Sequence, residues 1–315
     1  MTEERSGNMA LVLGIDIGGT NIAGGIVDTT EGILEATTIP SYGALGKEAV
    51  LSNLSRIVDR LLDRAPGQIV AIGIGTAGEV DPDAGVITSA TGNIPHWTGT
   101  KLKEYVQERY HRPTYLDNDG NAAALAELYY GAGRGFNNFV YLCLGTGVGG
   151  AVVVDGQLLR GTRNYAAALG HTTIDFSGTP CNCGSIGCLE MYVSGTAIGR
   201  SARAANIAED AKGLFREAEQ GNDRAKALVD KVGFYLGCGL ANFANQFDPE
   251  AMIIGGGVSH AGALLLEPSR ATMEARVLQG LKGQIQVLPA KFGSESGLLG
   301  GAVVALSGLR SSTCQ

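Results

Sequence analysis

No stretch of this chain approaches the roughly 20 consecutive apolar residues that a bilayer-crossing helix needs, so the sequence predicts no membrane span. A secretory leader is not expected either: the opening MTEERSGN mixes acids with a base, and the apolar Ala10–Ile15 is short, runs straight into Asp16 and reads as a first strand. The expectation is a cytoplasmic protein. A basic block is also lacking. Lys and Arg total 24 against 31 Asp and Glu, scattered along a chain of net charge −7, which argues against nucleic acid as the main partner. The pattern G-x-x-x-x-G-K-[ST] does not occur, which excludes P-loop chemistry. Low-complexity segments and long linkers are absent too. What remains is a 315-residue chain, 44% hydrophobic and 17% charged, long enough for two soluble domains with a core each.

Glycine is what the chain has in excess. Its 48 residues are about twice the usual share of roughly 7%. They follow neither a collagen nor a linker pattern; they gather at strand ends, where backbone turns tightly or approaches a ligand. Leu11–Asp16 reads as a buried strand ending in Gly18-Gly19-Thr20, followed by a strand Ile22–Val27 and a turn region at Asp28/Gly32. The same grammar returns about 125 residues later: Phe139–Leu144, then Gly145-Thr146-Gly147-Val148-Gly149-Gly150, then Ala151–Val154, an Asp155-Gly156 turn and Gln157. Strand, Gly/Thr turn, strand, Asp/Gly turn, strand thus occurs twice, and suggests one duplicated domain with a hairpin opening each half.

Between the hairpins the pattern predicts helices at Gly46–Arg64, Lys101–Tyr110 and Gly120–Tyr130, with strands at Ile69–Gly75 and Thr114–Asn118. Beyond a cysteine-rich segment it predicts helices Thr196–Ala208, Glu209–Gln220 and Asp223–Phe247, strand Ala251–Ile254, helix Ala261–Gln279, strand Ile285–Leu288 and helix Gly297–Leu309. Alternating strands and helices make both halves α/β, and the early hairpins make the sheets mixed.

Asp16-Ile17-Gly18-Gly19-Thr20 sits at the C-terminal end of a strand, where α/β folds place ligands. Its glycines admit phosphate oxygens close to the backbone, Thr20 adds a hydroxyl, and Asp16 can hold Mg²⁺ through water. A β-turn that simply needs glycine is the plain alternative. The second turn, Gly145-Thr146-Gly147, weakens that alternative, because two such turns can clamp a triphosphate. Gly255-Gly256-Gly257, after the strand Met252–Ile254, lets a nucleoside lie against the backbone, or is only a turn. Asn118-Asp119 stands between a strand and a helix. A carboxylate there can take a proton from an attacking hydroxyl, and either residue can equally serve as a helix N-cap.

Six cysteines are present, and three of them fall within eight residues. His171 with Cys181, Cys183 and Cys188 gives H-x9-C-x-C-x4-C, a closed set of one imidazole and three thiolates that suits structural zinc. The single His and the spacing suit an iron–sulfur cluster less well. Cys143, Cys238 and Cys314 are expected to be buried structural thiols.

Together these residues resemble the ROK family of sugar kinases and related repressors, from Leu11 to about Leu306. The most specific stretch is Leu169-Gly170-His171 through Cys181-Asn-Cys183-Gly-Ser-Ile-Gly-Cys188-Leu-Glu190. Also similar are Asp16–Thr20, Gly92-Asn93-Ile-Pro-His-Trp97, Asp117-Asn-Asp119-Gly-Asn121 and Leu144–Gly150. The resemblance implies two ribonuclease-H-like domains, as in actin and hexokinase, around a central cleft. A small domain would span residues 10–118 with the returning helix 302–313, and a large one with the zinc knuckle residues 119–301. It implies transfer of the ATP γ-phosphoryl group, with Mg²⁺, to the 6-hydroxyl of a hexose or N-acetylhexosamine. Asp119 would be the general base; Gly78, Asn93, Asn118, His171 and Glu190 would surround the sugar. Asp16, Gly18, Gly19, Thr20, Gly145 and Thr146 would surround the phosphates, and Gly255, Gly256 and Gly257 the nucleoside. Relatives of this kind are commonly dimers or tetramers, so a homo-oligomer is expected.

One position departs from the pattern. The family has glutamate three residues before the metal histidine, and here that place in Tyr165-Ala-Ala-Ala168-Leu-Gly-His171 is Ala168. Losing a charged hydrogen-bond partner costs about 1.5–3 kcal/mol. That leaves three readings: a natural variant with altered sugar preference, a chain that senses sugar rather than phosphorylating it, or a deliberate substitution that weakens turnover. With Asp119 and both turns intact, kinase chemistry, impaired, is favoured. A repressor would need a helix-turn-helix region ahead of the first hairpin; with fifteen residues before Asp16, a repressor is not the expectation. Glucose is favoured over N-acetylmannosamine and N-acetylglucosamine.

Overall fold

The structure is a computed structural model that describes residues 11–28, 30–90 and 94–313. The chain forms two compact units, one running to Ala126 and resuming at Glu295, the other spanning Glu127–Ser294. In the first unit, β1 (Leu11–Ile17), β2 (Asn21–Asp28) and β3 (Gly32–Pro40) are followed by α1 (Lys47–Arg64), β4 (Ile69–Thr76), β5 (Glu79–Asp81) and β6 (Val86–Ser89). Then come α2 (Leu102–Tyr110), β7 (Thr114–Asn118) and α3 (Asp119–Tyr130), the last crossing into the second unit. The sheet order is β3-β2-β1-β4-β7. β1 to β3 pair antiparallel, while β4 joins β1, and β7 joins β4, in parallel.

The parallel centre explains the composition of β1. Val12, Leu13, Ile15 and Ile17 are fully buried, as strands covered on both faces must be. α1 covers one face with Val50, Leu54, Ile57, Val58 and Leu61, a stripe at three- and four-residue spacing.

In the second unit, β8 (Phe139–Leu144), β9 (Val148–Val154) and β10 (Gln157–Leu158) precede α4 (Glu190–Val193), α5 (Gly195–Ala204), α6 (Ala211–Glu219) and α7 (Asp223–Phe247). After these come β11 (Ala251–Gly255), α8 (Ala263–Arg276) and β12 (Gln286–Pro289). Its sheet order, β10-β9-β8-β11-β12, and its strand directions repeat those of the first unit. The duplicated grammar of the sequence is therefore a duplicated ribonuclease-H-like sheet.

The chain returns to the first unit as α9 (Ser296–Thr313), packed on β1 and β4 backbone against backbone. A Cβ on Gly14 or Gly73 would run into the Leu298 or Gly301 carbonyl oxygen, and one on Gly301 would stand 2.7 Å from the Ile15 amide. Glycine here is the condition for helix and sheet to touch.

Several boundaries differ from the sequence reading. α5 stops at Ala204 rather than 208 because Asn206 takes φ 52°, and α6 starts at Ala211 because the Asp210 side chain caps it by accepting the Gly213 amide at 2.7 Å. The β5–β6 hairpin and α4 carry no period long enough to be seen in sequence. Cys143 and Cys238 are half-buried rather than buried, and Cys314 lies outside the described residues. Among the described residues no helix is long and apolar enough to cross a membrane.

Candidate functional site

At the C-terminal edge of the first sheet, three strands in register bring acids together. Asp16 of β1 pairs with Gly75 of β4, which pairs with Asp117 of β7. The next residue of β7, Asn118, caps α3: its Oδ1 accepts the Gly120 amide at 2.8 Å and the Asn121 amide at 3.3 Å. Its Nδ2 donates to the Gly78 carbonyl at 2.9 Å, which fixes the amide orientation. Capping thus falls to Asn118, and Asp119 becomes the first helical residue with its own Oδ1 on the Gly120 amide at 2.8 Å. Asp117 is buried, with Oδ1 accepting the Asn118 amide at 2.9 Å and the Asn121 side chain at 2.8 Å.

The electrostatics of this edge follow from crowding. Asp119 is reached by solvent, yet the protein around it removes enough hydration to raise its pKa, against the lowering effect of hydrogen bonds from the Gly120 amide, Asn118 and its own amide. Asp16 lies against the first turn of α9, where a Cβ on Gly297 would strike its Oδ2. Desolvation, then the Asp119 charge, pushes Asp16 up to about 7. Glu79, half-buried at the start of β5, is also raised, by desolvation and then by Asp119 and Asp117. Desolvated carboxylates crowded around Asp119 are a donor set that a divalent cation or a transferring proton would relieve. In the first turn itself the Gly18 amide donates to the Asn21 carbonyl at 2.9 Å, the Gly19 carbonyl accepts the Gly43 amide at 3.1 Å, and Thr20 is exposed. Gly78 takes φ 97°, a conformation that favours glycine.

The corresponding edge of the second sheet is built from backbone. Packing asks for glycine at both Gly255 and Gly256, more strictly at the second: a Cβ on the first would stand 2.6 Å from the Tyr141 hydroxyl, and the second has φ 83° and would put a Cβ 2.5 Å from the Leu144 backbone. Gly145 and Gly257 differ. Neither has a left-handed φ, and a Cβ on either would meet nothing within 4 Å. Protein packing does not require glycine at these two positions; open space stands beside them. The Gly195 amide, at the start of α5, donates to the Gly145 carbonyl at 2.8 Å, so this edge gathers the β8–β9 turn, the start of α5 and the Gly257–Ala261 turn. Thr146 is exposed at the tip. Glu190 sends Oε2 to the Val148 amide at 2.8 Å.

His171, Cys181, Cys183 and Cys188 place one ligand atom each within 4.8 Å of one another. Cys181 Sγ lies 3.7 Å from His171 Nδ1, and Cys183 Sγ lies 3.6 Å from Cys188 Sγ. Such edges suit a tetrahedral ion with metal–sulfur bonds of about 2.3 Å. Gly184 and Gly187, at φ 91° and 71°, close the knuckle, and a Cβ on Gly187 would run into the Asp175 carbonyl. With Nδ1 turned to the cysteines, the second ring nitrogen of the exposed His171 is left for another partner.

The first unit therefore holds Asp16, Gly18, Gly19, Thr20, Gly78, Asn118 and Asp119, and the second holds Gly145, Thr146, His171, Glu190, Gly255, Gly256, Gly257 and the cysteines. Asn93 lies outside the described residues. Sequence reasoning gave no place to Glu79, which belongs to the acidic edge, or to Glu127. Glu127 is fully buried and accepts the Ala132, Lys291 and Phe292 amides at 2.7, 3.0 and 3.3 Å. The one available signal for it was a charge within the otherwise small and apolar run Ala122–Leu128.

Two sheets of the same strand order, each opened by an antiparallel hairpin, have the construction of the actin- and hexokinase-like fold. The chain belongs to the ROK family, whose model matches residues 12–307. It is 36% identical over 308 residues to the glucokinase of Halalkalibacterium halodurans, covering 92% of this chain and 93% of that one. The crystal structure of a ROK family glucokinase from Streptomyces griseus, in complex with glucose and AMPPNP, is similar with a TM-score of 0.83 and 34% identity, over 95% of this chain and 100% of that one. The xylose repressor of Bacillus subtilis is 28% identical over 294 residues, 91% of this chain and 75% of the repressor.

Proposed function

We propose that this protein is an ATP-dependent sugar kinase that phosphorylates the 6-hydroxyl of a hexose, with glucose as its substrate. The observation that carries the reading is the division of labour at Asn118-Asp119: the asparagine caps α3, and the aspartate is left solvent-accessible with a raised pKa. Efficient general bases have pKa values near working pH, and an ordinary aspartate lies well below it. Similarity to glucokinases at 36% identity over 92% of the chain supports the same reading.

In the proposed reaction Asp119 accepts the proton of the sugar 6-hydroxyl as that oxygen bonds to the γ-phosphorus. The bond from phosphorus to the β,γ-bridging oxygen breaks, and ADP departs with the electron pair. Gly78, Asn93, Asn118, His171 and Glu190 orient the sugar. Asn118 is already pinned by Gly78, which keeps its orientation from varying. Gly18, Gly19, Thr20, Gly145 and Thr146 line the phosphates, and Gly255, Gly256 and Gly257 the nucleoside; the open space beside Gly145 and Gly257 supports this. Phosphoryl transfer of this kind is catalysed by positioning and charge neutralisation. Mg²⁺ bound with the nucleotide would supply the neutralisation, and Asp16 is the carboxylate to hold it. Zinc on His171, Cys181, Cys183 and Cys188 would fix the histidine tautomer and leave its other nitrogen for a sugar hydroxyl.

Ala168 favours a second reading, a sugar sensor without turnover, and the similarity to the xylose repressor is in line with it. A coupled ADP-release assay with Mg-ATP over glucose, mannose, N-acetylmannosamine and N-acetylglucosamine, on this chain and on Ala168→Glu, separates the two. Turnover with glucose is expected, raised about 10- to 100-fold in sugar affinity by the restored carboxylate. Silence in both proteins, with glucose still bound, would select the sensor.

A further inference from the structure

The segment leaving the cysteine knuckle is fastened across the β8–β9 turn at two points. At its start Glu190 Oε2 accepts the Val148 amide at 2.8 Å; at its end the Gly195 amide donates to the Gly145 carbonyl at 2.8 Å. α4, four residues long, fills the span between them. The first fastening is tight. A Cβ on Gly147 would stand 2.5 Å from Glu190 Oε2, and Gly147 has no left-handed φ, so a side chain there would displace the carboxylate and nothing else. The other oxygen, Oε1, lies 4.0 Å from the same point, and no described residue is hydrogen-bonded to it. Glu190 is half-buried, and Oε1 is not among the buried side-chain atoms of the described residues that lack a partner, so this second oxygen keeps access to solvent.

One carboxylate thus has one oxygen committed to the turn and one open. We propose that Glu190 couples the two ligand sites: Oε2 holds the phosphate-side turn while Oε1 accepts a sugar hydroxyl, so each ligand prepares the site for the other. The inference rests on reading Glu190 as a sugar contact and the Gly145-Thr146 turn as a phosphate contact. A hydroxyl on Oε1 restricts the side-chain torsions of Glu190, and those torsions set where Oε2 presents itself to Val148. Coupling of this kind is reciprocal: the factor by which sugar tightens nucleotide must equal the factor by which nucleotide tightens sugar.

The test is calorimetric titration of glucose and a non-hydrolysable ATP analogue, each alone and in the presence of the other. Wild type is expected to show mutual tightening by about fivefold or more. Glu190→Gln keeps a side-chain oxygen for the Val148 amide and should retain most of this factor, whereas Glu190→Ala should bring it close to one. Gly147→Ala approaches from the phosphate side, and should weaken glucose binding about fivefold with no nucleotide present. Thermal melts identify any variant that has lost its fold, and because three variants are compared, one misfolded protein does not decide the outcome. Equal coupling in wild type and Glu190→Ala, or unchanged glucose affinity in Gly147→Ala, overturns the inference. A wild type that binds both ligands without coupling overturns the inference alone. A wild type that binds neither overturns the kinase reading and this inference with it.

Discussion

The two hairpin-led sheets share strand order and direction but present opposite chemistry at equivalent edges. Asp16 stands opposite Gly75, and in the second sheet Cys143 stands opposite Gly255. Around Asp16 the first edge adds Glu79, Asp117 and Asp119; lost hydration raises Asp16, Glu79 and Asp119, and the Asp119 charge raises the first two further. Around Cys143 the second edge offers backbone and open space at Gly145 and Gly257, with Glu190 turned onto Val148. A duplicated scaffold has thus been divided into an edge suited to protons and cations and an edge suited to anions. Kinase chemistry needs both, since it moves a proton off a hydroxyl and stabilises charge on phosphates.

Breaking the acidic edge should have the largest effect. Asp119→Asn keeps the oxygen that accepts the Gly120 amide but loses the base, so turnover is expected to fall about 100- to 10,000-fold, with glucose affinity by calorimetry nearly unchanged. Unaltered turnover would assign the proton to another group.

The glycine edge can be tested by contrast within itself. Gly145→Ala should leave the melting curve within about 0.5 kcal/mol of wild type and weaken a non-hydrolysable ATP analogue about tenfold. Gly256→Ala, at φ 83° and against the Leu144 backbone, should instead destabilise the fold by about 1–3 kcal/mol. Equal behaviour of the two would remove the distinction between glycines that serve packing and glycines that leave room.

The smallest effect concerns pH. A carboxylate raised to about 7 in the folded protein but not in the unfolded chain binds more protons when folded. Its stabilising contribution is present at low pH and is lost as pH rises through about 7. Without divalent cations, stability should therefore carry a downward contribution across this window. Asp119→Asn should reduce it, because the Asp119 charge is one of its causes; denaturant titrations at stepped pH measure the difference.

Much of this was legible in the sequence because it rests on short, strongly marked segments. The buried strands beginning at Leu11 and Phe139, the turns after them and the His171–Cys188 array are local patterns, and the structure places each as an element or a cluster. What was not legible depends on contacts far apart in the chain. Glu79 joins the acidic edge through a hairpin too short to show a period, and Glu127 meets Lys291 and Phe292 across more than half the sequence. The tether from Glu190 to Val148 spans 42 residues and depends on a missing side chain at Gly147. Sequence placed Asn118 and Asp119 together at a helix start, and only the hydrogen bonds show which of them is the cap.

The most direct test of the central claim is the pH profile of kcat/KM for glucose, which reports the free enzyme's essential base. The account predicts an acid limb clearly above the ordinary aspartate value of 3.8, absent from the residual activity of Asp119→Asn. A limb at that ordinary value, or one that persists unchanged in Asp119→Asn, would contradict the assignment of Asp119 as the base.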